Sequence, residues 1–250
     1  MSQNWKNAVV IGASSGIGKA IAEELIKHGV NVALVSRRQE RLREIAERAK
    51  AAGSRAKVLC YAHDVHQYSE AEPLLQTIAH DLGGLDLVVY ASGVMPSVEE
   101  HEYTFSKDRE MIEVNLLGAI AWLNEAAKRF EQTRQGTIIG ISSIAGERGR
   151  RGNPVYCTSK AAFTTYLESL RNRLGRYGVK VVTIKPGFVD TDMTRGKPGV
   201  FWLISAETAA KETLHVAHRG STSAFIPARW GVVAFVLRMI PSFLFKYLPI

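Results

Sequence analysis

Short runs of contiguous apolar residues alternate along this chain with longer stretches whose apolar residues return every three or four positions. Ala8-Val-Val-Ile11 and Asn31-Val-Ala-Leu-Val35 are of the first kind, brief and β-branched, as strands buried on both faces are. Lys19-Ala-Ile-Ala-Glu-Glu-Leu-Ile-Lys27 is of the second kind, and Gly29 follows where a glycine commonly ends a helix. Continued through the chain, the pattern predicts strands near 8–12, 31–36, 56–61, 86–90, 137–142 and 180–185. It predicts helices near 16–28, 39–52, 69–82, 107–131, 155–176 and 206–218. Such alternation makes an α/β fold, a doubly wound parallel sheet with helices on both faces. Its ligand crevice lies at the carboxyl ends of the strands.

Two motifs put chemistry on this frame. The first turn reads Gly12-Ala-Ser14-Ser15-Gly16-Ile17-Gly18, between a strand and a helix. Glycines there permit a tight turn and close approach of backbone to a pyrophosphate, while the helix N-terminus favours negative charge. The second motif is Ser143, Tyr156 and Lys160, spaced S-x12-Y-x3-K, with Asn115 upstream. A tyrosine hydroxyl is a weak acid at neutral pH. A lysine four residues on shares its helix face, so its ammonium is expected to pull the tyrosine toward working pH. Ser143 can then hydrogen-bond a substrate carbonyl or hydroxyl.

Composition narrows the class. The 250 residues are 46% hydrophobic and 22% charged, enough for one domain with a sizeable core. The N-terminus carries no apolar h-region, so no signal peptide is expected. Cys60 and Cys157 make neither a disulfide framework nor a metal cluster, and the seven histidines show no ligand spacing. The net charge of +8 does not by itself imply nucleic acid, because the basic residues from Arg41 to Lys50 interleave with Glu40, Glu44 and Glu47 as on a solvated face. One loop, Glu147-Arg148-Gly149-Arg150-Arg151, could attract an acidic substrate or simply lie exposed.

With these motifs in order, the chain resembles the short-chain dehydrogenases/reductases in their compact single-domain form, over about residues 6 to 220. Further landmarks are Asp64-Val65, Ser92-Gly93, Val114-Asn115, Ser142-Ser143 and Pro186-Gly187. The resemblance implies Tyr156 as general acid–base, Ser143 orienting the reacting oxygen, Lys160 on the nicotinamide ribose and Asn115 positioning a relay water. It implies cofactor contacts from Gly12, Ser14, Ser15, Gly16, Ile17, Gly18, Asp64, Val65, Ser92, Gly93, Tyr156, Lys160, Pro186, Gly187, Val189 and Thr191. It also implies a seventh strand near 223–227, a mobile flap over residues 188–205 and a homodimer or homotetramer. Two places depart from the family pattern: Ile11 stands for a usual Thr, and Tyr90-Ala91-Ser92-Gly93 for Asn-Asn-Ala-Gly, which puts the local bracing in question.

At the end of the second strand an NAD-binding member would carry a carboxylate for the ribose hydroxyl. Ser36-Arg37-Arg38 stands there instead, and guanidinium suits a 2′-phosphate, so NADP(H) is expected over NAD(H). The expected activity is NADP(H)-dependent hydride transfer to or from a carbonyl or alcohol, with an apolar ketone or aldehyde favoured by the flap's Phe188, Phe201 and Trp202. A non-catalytic NADP(H) sensor on the same fold is the alternative. Residues 1–229 are read as the catalytic domain and 230–250 as an apolar tail, packed on the domain or a partner subunit. The tail's apolar run is too short to span a bilayer. The expected location is cytoplasmic, with peripheral membrane contact through the tail as the alternative.

Overall fold

The computed structural model describes residues 5–196 and 199–248. Its centre is a seven-stranded parallel sheet of β1 (Asn7–Ile11), β2 (Asn31–Ser36), β3 (Val58–Ala62), β4 (Leu87–Tyr90), β5 (Thr137–Ile141), β6 (Lys180–Pro186) and, after two short strands, β9 (Ser223–Ile226). The order is β3-β2-β1-β4-β5-β6-β9, all neighbours parallel. Alternate residues of each strand feed opposite cores. Val9, Ile11, Val35, Val88 and Tyr90 meet α3 (Ala71–Leu82), α5 (Gly118–Thr133) and α6 (Pro154–Leu174), through Ile78, Trp122, Phe163 and Leu167. Val10, Val32, Leu34, Leu87 and Val89 meet α1 (Gly16–Lys27), α2 (Gln39–Ala51) and α7 (Ala206–His218), through Ile21, Leu25, Leu42 and Leu214. Burial on both faces is why the strands read as unbroken apolar runs. Strand order reverses at β1, between β2 and β4, so a crevice opens where those strands end.

The helix predicted over 107–131 is two helices. α4 (Phe105–Ile112) and α5 flank a π turn, Glu113–Leu117. Tyr90 explains part of this break: its hydroxyl donates to the Val114 carbonyl at 2.7 Å. The residue that departs from the family pattern therefore still braces backbone, by another route.

The flap segment is tied down by a two-stranded parallel sheet, β7 (Val189–Asp190) with β8 (Ile204–Ser205). The tail forms α8 (Trp230–Met239) and α9 (Ser242–Phe245). Residues Trp230 and Ala234 of α8 are buried against the domain, while Phe235 is 65% exposed. One face of the tail is thus buried and the other exposed. Among the described residues no helix is long and apolar enough to cross a membrane.

Candidate active site

A cavity of about 530 Å³ opens at the strand-order reversal. Its first wall is the turn after β1. Gly12 has φ +90°, and a β-carbon there would sit 2.6 Å from the Ser92 amide nitrogen, so only glycine lets the two strand ends approach. Gly18 does not line the cavity. A β-carbon there would lie 2.3 Å from the Gly12 carbonyl oxygen, so it sets helix-on-strand packing.

Ser14, Ser15, Ser36, Arg37 and Arg38 line one end. The Arg38 guanidinium donates to Ser14 Oγ at 2.8 Å and Ser15 Oγ at 2.7 Å, and its backbone amide donates to Ser36 Oγ at 3.2 Å. Burial and the neighbouring Arg41 charge lower its pKa. Arg37 instead leans outward to Asp64, 3.8 Å away. Asp64 also accepts from the His66 amide and ring at 3.1 and 2.7 Å. Burial opposes the effect, yet these bonds and the Arg37 charge hold its carboxyl below the usual range. Asp64 therefore stands outside the cavity lining, whereas Val65 is part of it.

The other end is built by α6. Asn153 caps that helix, its Oδ1 accepting from the Tyr156 amide at 3.1 Å, and Pro154 occupies the first turn. Tyr156 and Lys160 then lie one turn apart, both buried. Ser143, at the N-cap of a short 3₁₀ turn, accepts from the Ala145 amide at 3.1 Å and stands beside Tyr156 in the cavity lining. Neighbouring Ser142 bonds the Lys160 carbonyl at 3.0 Å and Thr164 Oγ1 at 2.7 Å, fixing this turn to β5.

The electrostatics differ from expectation. Burial pushes Tyr156 up to about 12, against the lowering pull of Ser143 and of Arg150, which also lines the cavity. Burial takes Lys160 down to about 8, and its Nζ donates to the Ile141 carbonyl at 3.1 Å. Nζ lies 5.9 Å from the Tyr156 ring centre. A buried ammonium pays for its own desolvation before it can stabilise a phenolate, so the expected lowering of Tyr156 is absent here.

Asn115 is fully buried in the π turn. Its Oδ1 accepts from the Val94 amide at 2.8 Å, and its Nδ2 donates to the Val94 carbonyl at 3.0 Å and Ser159 Oγ at 3.1 Å. The side chain is committed to holding the loop after β4 against α6, and no atom of it lines the cavity. A water held by Asn115 would have to sit on its backbone.

Pro186, Gly187, Val189 and Thr191 complete the lining beyond β6, as do Ile17 and Gly93 nearer the glycine turn. Arg150 of the basic loop and Met193 of the flap also line the cavity, and the tail supplies three more residues that the sequence reading did not assign one by one, Trp230, Val233 and Leu237. The last three recur at helical spacing in the tail, a signal that was available. Trp230 rests on Gly187, where a β-carbon would be 1.9 Å from the indole nitrogen. Its ring also meets Phe188, Phe201 and Trp202 at 5.5, 5.2 and 5.6 Å. The tail is locked from below by Glu147 and Arg148. The Glu147 carboxylate, 1% exposed, pairs with Lys185 at 2.7 Å and with Arg238 of α8. Arg148 donates to the Leu237 carbonyl at 2.5 Å and to the Ile240 carbonyl, and covers the Phe245 ring at 3.9 Å. Arg151 pairs with Glu100 at 3.4 Å. The basic loop is therefore mostly a tail anchor, and only Arg150 faces the cavity.

A Rossmann-like sheet with a serine, a tyrosine and a lysine converging at its reversal point defines the class. The chain belongs to the short chain dehydrogenase family, whose model matches residues 6–198. It is 38% identical over 191 residues to an uncharacterized oxidoreductase of Staphylococcus epidermidis, covering 76% of this chain and 81% of that one. A Myxococcus xanthus oxidoreductase, also uncharacterized, is 35% identical over 76% of this chain and 75% of its own length. Among solved structures, a Sphingobium yanoikuyae short-chain dehydrogenase in complex with NADPH superposes with TM-score 0.82 at 22% identity, covering 95% and 97% of the two chains. The actinorhodin polyketide ketoreductase with NADPH gives TM-score 0.79 at 23% identity, covering 88% and 95%. The structural likenesses establish the shared fold.

Proposed function

We propose that this oxidoreductase is an NADPH-dependent reductase of an apolar ketone or aldehyde, with residues 1–229 as its catalytic domain. The observation that carries the reading is one continuous cavity with Arg38, Ser14, Ser15 and Ser36 at one end and Ser143, Tyr156 and Lys160 at the other. The fit to a dinucleotide is supported by Gly12, which lets the ends of β1 and β4 close up while Ser14, Ser15 and Gly16 line the cavity, and by the donor cluster around Arg38. NADPH, when bound, supplies the hydride. Arg38 would take the 2′-phosphate with Ser36, the glycine turn and the α1 N-terminus the pyrophosphate. Thr191, Val189 and Gly187 would flank the nicotinamide end. Solved neighbours described as NADPH- or NADP-bound support the choice of cofactor.

In the catalytic step Ser143 would hold the substrate carbonyl oxygen and Tyr156 would give its hydroxyl proton to that oxygen as negative charge develops. Lys160, buried one helical turn away, would bind the ribose. In the reverse direction Tyr156 would accept the alcohol's proton. Phe188, Phe201, Met193 and Trp230 make the substrate end apolar. A panel of aliphatic, aromatic and sugar-derived carbonyl compounds, followed by loss of NADPH absorbance, tests this. Turnover concentrated among the bulky apolar ketones is expected. Tight NADPH binding without turnover of any class would instead support the sensor reading.

A further inference from the structure

We propose that the outer face of the C-terminal roof docks on an anionic lipid surface. Helix α8 has two faces. The inner one, with Trp230, Val233 and Leu237, lies over the cavity. The outer one carries Val232, Phe235, Val236 and Met239, at the i, i+3, i+4 and i+7 positions, each more than half exposed. Phe243, Leu244 and Tyr247 extend this surface along α9 and the residues after it, Tyr247 being 75% exposed. The bonds from Arg148 to the Leu237 and Ile240 carbonyls, with its cover of Phe245, fix α8 and α9 to each other. The apolar residues therefore form one built surface. Exposed patches of this size mark binding faces.

Charge selects the occupant. The sequence holds no acidic residue after Glu212, while Arg229 and Lys246 border the patch, Arg238 being already paired with Glu147. Arg229 lies 5.2 Å from the half-exposed Trp202 ring, and Lys246 lies 4.8 Å from the Tyr247 ring. Cations beside aromatic rings around an apolar helix face are the chemistry of a bilayer interface. A second copy of the chain meeting this face would bring like charges together with no carboxylate from the segment to answer them. Lipid phosphates would answer them. With no described helix long enough to span, the segment would lie in the interfacial plane. Because the docked helix is also the one that roofs the cavity, an apolar carbonyl substrate would enter from the membrane side, a clause that rests on the proposed function.

The test is flotation of the purified full chain with vesicles of phosphatidylcholine alone and of phosphatidylcholine with phosphatidylglycerol. The chain is expected to float with the anionic vesicles and to bind the zwitterionic ones far less. Phe235→Ser with Phe243→Ser should weaken vesicle binding about tenfold or more. Arg229→Gln and Lys246→Gln should each weaken it about fivefold, on anionic vesicles alone. NADPH binding, followed by cofactor fluorescence, should be unchanged in every variant. Its loss in the wild type would count against the cofactor reading and leave docking standing. A wild type that stays unbound, or serine variants that float as well as it does, would overturn the proposal. So would a wild-type dimer that ignores vesicles and becomes monomeric in the Phe235→Ser/Phe243→Ser chain, because the face would then be a self-contact.

Discussion

Where β1 and β4 end, the cavity floor is held by backbone: Gly12 against the Ser92 amide, Gly18 against the Gly12 carbonyl, the Ala91 amide on the Ile11 carbonyl at 2.8 Å. Over the same cavity the roof is held by side chains, with Glu147 pairing Lys185 and Arg238, Arg148 closing the end of α8, and Trp230 on Gly187. The floor needs residues of one shape at fixed spacing, so it is written as a local motif. The roof needs partners far apart in the chain, so nothing local announces it. On the proposed function, activity would divide along the same line, the floor carrying the general groups for binding and proton transfer and the roof deciding what is admitted.

The strongest attack on the floor is Tyr156→Phe, which removes one hydroxyl and leaves the fold. Turnover should fall about 10²–10⁴-fold while NADPH affinity holds. A variant keeping more than about a tenth of the rate would place proton transfer elsewhere. The strongest attack on the roof is Glu147→Ala, which leaves Lys185 buried without its carboxylate. A loss of about 3–5 kcal/mol is expected in chemical denaturation. A loss below about 1 kcal/mol would mean that the roof does not depend on this pair.

Lys160 sharpens the contrast, because its burial costs stability. Folding takes its value from 10.5 to about 8, so between those pH values the unfolded chain holds more protons and stability should rise with pH. Below about pH 8 the ammonium is charged in both states and the cost is complete, of order 3 kcal/mol. Tyr156, pushed from 10 to about 12, acts in the opposite sense above pH 10, where the folded chain keeps a proton that the unfolded one gives up. The rise contributed by Lys160 should therefore end near pH 10, where Tyr156 begins to oppose it. Lys160→Met should be inactive, melt higher at pH 7 and lose the rise between pH 8 and 10. Parallel pH profiles for the two chains would refute this account of its burial.

The smallest effect expected is at the phosphate end. Arg38→Ala should raise the NADPH Michaelis constant about 10- to 150-fold, the equivalent of about 1.5–3 kcal/mol, and leave that for NADH nearly unchanged. Arg37→Ala should do less, since Arg37 points to Asp64. Equal losses for the two cofactors would remove Arg38 from the phosphate.

The doubly wound parallel sheet with helices on both faces and the grouping of Ser143, Tyr156 and Lys160 were legible because strand runs, helical returns and glycine positions are local constraints. The π turn was not, because it depends on Tyr90 reaching Val114 and on Asn115 reaching Val94 and Ser159. Arg37 and Arg38 are neighbours with equal chemistry in the sequence. Only the position of Ser14 and Ser15 opposite them singles out Arg38. In the tail, apolar content was plain, but dividing it into a covering face and an outer face needed the position of the cavity beneath.

Trp230 occupies the space in which any side chain at position 187 would begin. The two sites are therefore not free to drift separately. Alanine at 187 is admissible only in a chain that has already given up the large ring at 230, and a chain without that ring has surrendered the keystone of its aromatic cover. Substitutions at these positions must arrive in one order, ring first. Descendants of this chain that keep the tryptophan are bound to keep the glycine with it.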